Sequence, residues 1–297
     1  MNIIWCIFAI VLILFVSRKG DIRELGYLGP TKSVYIRGRL TNIRVKIDQR
    51  IVVMLTTHNR IGYVKTFSQW IKTDPTFVSG KVDLVIRDDA SSSYQEQDLK
   101  KWFPSARLFM GKKHIRADQN TRLNFEWFVK SKYDLLVVID SDSLLDPGWF
   151  DFITKHMPKT GFASLYHSNA RHHKTHHCND GVWCHQTSTG ALGMSMSKEL
   201  AKRMLNSNKQ QLFDWGIINW LKQNQIPIRV PPKSLVLHYG YYGQNNSPAN
   251  MQELADGFNL RSVASSIRPC VDFWMSAKNP DNICPNIPTN HSGGETK

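Results

Sequence analysis

Asp140 and Asp142 close the run Leu135–Asp142, LLVVIDSD, and their spacing is the first sign of chemistry in this chain. A short apolar run rich in Val and Ile reads as a strand buried on both faces. Residues two apart on a strand point to the same side, so the two carboxylates would be neighbours. Like charges that close stay ionised together at low cost when a cation lies between or beside them. Hard divalent cations take oxygen ligands and are often shared with substrate phosphates. The pair therefore reads as a metal–diphosphate site at the edge of a sheet. D-x-D is a short pattern, and a solvated turn, helped by Asp146-Pro147-Gly148, is the competing reading.

Positioning such a site requires a sheet, and the first half of the chain has the pattern of one. Ile51–Leu55, Val82–Ile86 and Ala106–Met110 read as strands that precede the LLVVID strand. Between them, Tyr63–Thr73, Tyr94–Phe103 and Ala117–Lys132 have helical spacing. Alternation of this kind implies a mostly parallel α/β sheet with right-handed crossovers. Ligands of such sheets sit outside the carboxyl ends of the strands. Three of those ends are polar: Thr56-Thr57, Asp88-Asp89 and Asp140-Ser141-Asp142. The second half is less regular. Strands are expected at Gly161–Tyr166, Gly190–Ser195, Ile228–Val230 and Leu235–Leu237, and helices at Lys198–Leu205, Asp214–Gln223 and near Met251–Phe258. His167–Ser188 reads as a polar, His-rich loop.

The order and spacing of these strand ends resemble the GT-A fold glycosyltransferases, family 2 in particular, over about residues 51–240. The family's first strand ends in a turn like Thr57-His58-Asn59-Arg60. Its second ends in Asp-Asp-Gly-Ser, matched by Asp88-Asp89-Ala90-Ser91 with Ala for Gly, and its metal motif is followed by Pro and an aromatic, as in Asp146-Pro147-Gly148-Trp149. The resemblance implies a Rossmann-like sheet flanked by helices and a UDP-sugar donor held with Mn²⁺ or Mg²⁺. It places Thr57, Arg60, Asp88, Asp89, Lys113, Arg116, Asp140 and Ser141 about the nucleotide and diphosphate. Asp142, His238 and Asp140 become the metal ligands, His238 through its place before Gly240. Asp214 becomes the base that deprotonates the acceptor hydroxyl, although Phe213 stands where the family often has Glu; a plain helix N-cap is the other reading of Asp214. Thr189, Gly190, Trp183 and Trp215 become acceptor-side residues, with core packing the alternative for either Trp. The Gln-x-x-Arg-Trp motif and multiple spans of the processive synthases are missing, which points to single-sugar transfer, and a single base candidate after the metal motif favours inversion.

Composition sets the frame. The 297 residues carry a formal charge of +14, which suits anionic partners such as nucleotide phosphates or a membrane surface. The basic residues are dispersed, and no nucleic-acid partner is expected. Residues 3–16 are almost wholly apolar, just short of the ~20 residues of a full span, and no signal-peptidase pattern follows. Residues 1–17 thus read as a membrane anchor, 18–49 as a basic stem, 50–285 as the catalytic domain and 286–297 as a disordered tail. Arg18, Lys19 and Arg23 after the anchor favour a cytoplasmic catalytic domain. Cys178, Cys184, Cys270 and Cys284 form two close pairs, and two disulfides would suit a lumenal one. In the His-rich loop, zinc binding competes with a Cys178–Cys184 disulfide.

The expected function is transfer of a sugar from a nucleoside diphosphate to a glycan or glycoconjugate hydroxyl. Two rivals stand: a nucleotidyltransferase acting on sugar phosphates, which usually needs a Gly-rich phosphate loop that residues 56–62 lack, and a non-catalytic glycan-binding module, which has no use for Asp142, Asp214 and His238 together.

Overall fold

The computed structural model describes residues 32–36, 39–43, 49–168, 173–178, 181–207, 212–240, 258–259, 261, 263, 265–276 and 284. The expected anchor (1–17), the tail (286–297) and the helix near 251–258, apart from Phe258, lie outside them. Among the described residues no helix is long and apolar enough to cross a membrane. The chain divides into two units, residues 1–48 and 49–297. In the first, β1 (Lys32–Ile36) and β2 (Arg39–Ile43) pair antiparallel, within the stretch expected to be a basic stem.

The second unit is built on a sheet of six strands in the order β5-β4-β3-β6-β11-β8. They are β3 (Ile51–Thr57), β4 (Val82–Asp88), β5 (Arg107–Met110), β6 (Leu135–Asp140), β8 (Phe162–Ser164) and β11 (Met194–Ser197). The helices between the first four are α1 (Ile61–Ile71), α2 (Pro75–Val78), α3 (Glu96–Trp102) and α4 (Arg116–Lys130). The β3–β4, β4–β5 and β3–β6 pairs are parallel, as expected, whereas β11 runs antiparallel to both β6 and β8. The sheet is therefore mixed, with an antiparallel edge on a parallel core.

Its two faces follow from the alternation of one strand. Ile51, Val53 and Leu55 of β3 join Tyr63, Val64, Phe67 and Trp70 of α1 in one buried cluster. Val52 and Met54 point the other way, to Phe125 and Phe128 of α4. Their cluster also holds Met204 of α6 (Lys198–Ser207) and Ile218 of α7 (Trp215–Gln223). A strand covered on both faces reads as continuous apolar sequence, which is why IVVML shows no period of two.

Beyond β6 the chain builds smaller pairings. β7 (Ser143–Leu145) pairs antiparallel with β13 (Val236–His238), with His238 opposite Ser143. α5 (Trp149–His156) follows β7 and buries Trp149 and Ile153. The loop expected over 167–188 holds two strands instead, β9 (Thr175–His177) and β10 (Cys184–Gln186). With β12 (Ile228–Val230) they form a three-stranded antiparallel sheet. Three-residue polar strands carry too few side chains to display a period. Cys178–Cys184 and Cys270–Cys284 are both disulfides, the second tying α8 (Arg268–Ser276) to Cys284. The first bond takes both cysteines of the loop, so the zinc alternative loses its sulfur ligands there.

Candidate active site

The order of strands in the sheet dictates where a ligand should bind. From β3 the chain steps outward to β4 and β5, then returns through α4 to place β6 on the other side of β3. The crevice at such a reversal, at the carboxyl ends of the strands, is the binding place in open α/β sheets. Registers align the polar ends there: Thr57 lies opposite Asp88, and Thr56 opposite Asp140.

Asp142 and His238 meet in this crevice. The β7–β13 pairing carries His238 to it, and His238 Nε2 lies 3.5 Å from Asp142 Oδ2. Tyr239 locks the junction by donating its N–H to the Asp142 carbonyl (3.0 Å) and its hydroxyl to the Ser141 carbonyl (3.0 Å). Ser141 thus serves through its backbone, with its side chain buried. Arg60, expected about the nucleotide and diphosphate, completes the cluster in a role not foreseen: its Nη1 donates to the same Asp142 oxygen at 2.5 Å. Burial alone would push the Asp142 carboxyl up, but Arg60 and His238 outweigh it and hold it well below the usual carboxylate range. Burial likewise opposes protonation of His238, and Asp142 reverses that effect to raise its pKa. Asp140, half-buried, is pushed up to about 6 by burial and by the Asp142 charge, with Asp214 adding to the rise.

These residues fit a hard divalent cation in donor type: an ionised carboxylate and an imidazole, with a second carboxylate close enough to feel their charge. Gly240 packs directly on the carboxylate; a Cβ there would lie 2.1 Å from Asp142 Oδ2. Asp140, Asp142 and His238 do not close to a tight trio, however. Among the described residues, the three metal-capable side chains with ligand atoms within 4.8 Å of one another are His58, Asp89 and His114. That second cluster is already knit by hydrogen bonds. His58 Nδ1 lies 2.7 Å from the Asp89 carbonyl, His114 Nδ1 lies 2.9 Å from Asp89 Oδ2, and the two rings stack at 4.2 Å.

The two acids at the end of β4 act mainly inside the protein. Asp88, 1% exposed, accepts from Thr57 Oγ1, from Ser91 through both its N–H and its hydroxyl, and from the Tyr94 hydroxyl. Thr57 is thereby committed to Asp88. Asp89 accepts the N–H groups of Ile115 (2.8 Å) and Arg116 (3.0 Å). Ile115 occupies the N-cap position of α4 and cannot cap it, so the cap comes from the neighbouring strand end. Gly111 lets this loop approach, since a Cβ would lie 2.8 Å from the Asp88 carbonyl. Direct nucleotide contact by these two carboxylates, as the sequence suggested, would compete with these bonds. Lys113 and Arg116 are exposed, and Arg116 meets Asp89 through its backbone.

Asp214 sits at the N-cap position of α7 with φ 43° and ψ −111°, and its side chain does not cap the helix. The plain-cap reading therefore fails. Beside it Trp215 is 48% exposed. Trp183 is a correction: it is buried, its Nε1 donates to the His156 carbonyl at 3.0 Å, and its ring meets Phe152 edge-on. Thr189 is also buried and donates to Ser164 Oγ (2.8 Å), while Gly190 lies half-buried against Tyr166.

No family model and no curated protein sequence matches the chain. Solved structures of similar fold include the mannosyltransferase PcManGT from Pyrobaculum calidifontis in complex with GDP-Man and Mn²⁺, at 14% identity and a TM-score of 0.40, covering 52% of this chain and 46% of that one. S. aureus TarS 1-349 in complex with UDP-GlcNAc matches at 13% identity and 0.43, covering 63% and 58%. GalNAc-T7 with UDP, GalNAc and Mn²⁺ matches at 14% and 0.48, covering 70% and 46%. The match thus spans about half to three fifths of those chains, and at such identities and TM-scores these likenesses assign no activity to this one.

Proposed function

We propose that this chain is a glycosyltransferase that moves a sugar from a nucleoside diphosphate, a UDP-sugar first among candidates, to a glycan or glycoconjugate hydroxyl with inversion. The observation that carries this reading is the meeting of Asp142 and His238, 3.5 Å apart, in the crevice where the strand order reverses. Asp142 and His238 would hold Mn²⁺ or Mg²⁺, with Asp140 nearby. The ion supplies neutralisation of the charge that grows on the departing diphosphate.

The remaining work falls to the chain itself. Asp214 takes the proton from the acceptor hydroxyl. Its charge acts on Asp140, so the two carboxyls lie within electrostatic reach of each other, and its side chain does not cap the helix. Positioned proton transfer of this kind contributes typically ~10²–10⁴-fold. Trp215, exposed next to Asp214, offers an apolar face for an acceptor sugar. Two disulfides suit an oxidising compartment, which favours catalysis on the lumenal or extracellular side.

The test is a panel of UDP- and GDP-sugars assayed for nucleotide release with Mn²⁺ and with chelator. At least one donor should be turned over with metal and none in chelator. Equal turnover in chelator would remove the metal from the reading, and turnover surviving in Asp142→Ala would remove the site.

A further inference from the structure

We propose that Arg60 is a built-in cation that occupies the Asp142 carboxylate until a nucleoside diphosphate draws it away, so that divalent metal and diphosphate bind as a coupled pair. This rests on the reading of Asp142 as a metal ligand. The oxygen of Asp142 that faces His238 Nε2 at 3.5 Å is the same oxygen that Arg60 Nη1 reaches at 2.5 Å. One carboxylate oxygen cannot serve a guanidinium and a divalent ion in the same place, and their like charges repel.

The turn that delivers Arg60 is costly to form and firmly held. Asn59 (φ 53°) and Arg60 (φ 55°) are both left-handed, with no glycine to relieve either. Asn59 is clamped from several sides. Its N–H donates to Ser91 Oγ at 2.6 Å, and its side-chain oxygen accepts from the N–H groups of Ser92 and Ser93 and from the Ser92 hydroxyl. The backbone is thus fixed, and the Arg60 side chain, 28% exposed, borders solvent where the 4%-exposed Asp142 does not. The guanidinium lies 5.5 Å from the Tyr63 ring, whose edge meets Tyr239, the residue that locks Asp142. A guanidinium fork matches phosphate as well as carboxylate. A diphosphate entering beside Asp142 would offer Arg60 a second anion and leave the carboxylate to the metal.

The test is Mn²⁺ binding to the full chain, read from the resonance of free Mn²⁺, with and without UDP. It compares the wild type with Arg60→Met and with Arg60→Gln, which keeps a donor and loses the charge, and folding is followed by thermal melts. Coupling free energies between sites commonly amount to roughly 5- to 150-fold in affinity. Without UDP, both variants should bind Mn²⁺ tighter than wild type by a factor in that range, and the gain from adding UDP should shrink correspondingly. Affinity unchanged or weakened in a folded variant overturns the proposal. Absence of Mn²⁺ binding in all three proteins even with UDP overturns the metal reading of Asp142 itself, and this proposal with it.

Discussion

Replacing Gly240 by Ala tests the site without touching any group assigned a chemical role. The added Cβ would stand 2.1 Å from Asp142 Oδ2 and 2.5 Å from its Cβ and Cγ, where real contacts essentially never fall below 3.0 Å. The shortfall is 0.9 Å, and the obstacle is a buried carboxylate rather than the free end of a long side chain. Either Asp142 moves or the backbone after β13 does, and each separates Asp142 from His238. Overpacking of this kind costs about 1–3 kcal/mol, and each kcal/mol lowers the melting temperature by about 2–4 °C in a domain of this size. The chain should therefore stay folded at 25 °C. A displacement of about 1 Å at reacting groups costs on the order of 10²-fold in rate. Gly240→Ala should show a modest drop in melting temperature, weaker Mn²⁺ binding in the presence of UDP, and about a hundred-fold slower nucleotide release. Wild-type turnover and Mn²⁺ affinity in this variant would refute the placement of the metal at Asp142.

Asp214→Asn should lose about 10²–10⁴-fold in transfer to acceptor while retaining Mn²⁺-dependent UDP binding by calorimetry; loss of both together would make Asp214 structural. Asp74, buried at the N-cap of α2 where it accepts from Thr76 and Phe77, has its pKa raised by burial. The stability tied to its protonated form is complete at acid pH and is lost as pH rises through that raised value. Urea melts of Asp74→Asn should therefore gain on wild type between pH 4 and pH 7, and a constant difference would contradict this. Cys270–Cys284 closes a loop of sequence separation 14, for which loss costs about 3 kcal/mol; Cys270→Ser should lower the urea midpoint accordingly.

Much of the site could be read before any coordinates because its signals are local. Buried parallel strands show as apolar runs, and Thr57, Asp88 and Asp140 mark their ends. His238 follows a short apolar stretch, and its antiparallel pairing with Ser143 brings it to Asp142. Arg60 was expected beside the nucleotide and diphosphate, but its ion pair with Asp142 escaped because its reach depends on two successive left-handed residues, a backbone property for which Asn59 is the sole sequence hint. The commitments of Asp88 and Asp89 escaped because their donors, Tyr94, Ile115 and Arg116, come from other elements. Trp183 could not be told from a sugar platform, since an indole suits a core and a glycan face equally. The β9–β10 pair rests on backbone hydrogen bonds and a disulfide, neither of which leaves a periodic trace.

The exposed indole at position 215 gives this chain an optical reporter of its own. Among the described residues Trp70, Trp149, Trp183 and Trp220 are buried and Trp102 and Trp127 partly buried, whereas Trp215 is 48% open to water. Acrylamide should quench that ring first, and any glycan that settles on it should slow the quenching. Candidate acceptors can thereby be ranked by fluorescence alone, without a donor and before a single turnover has been seen.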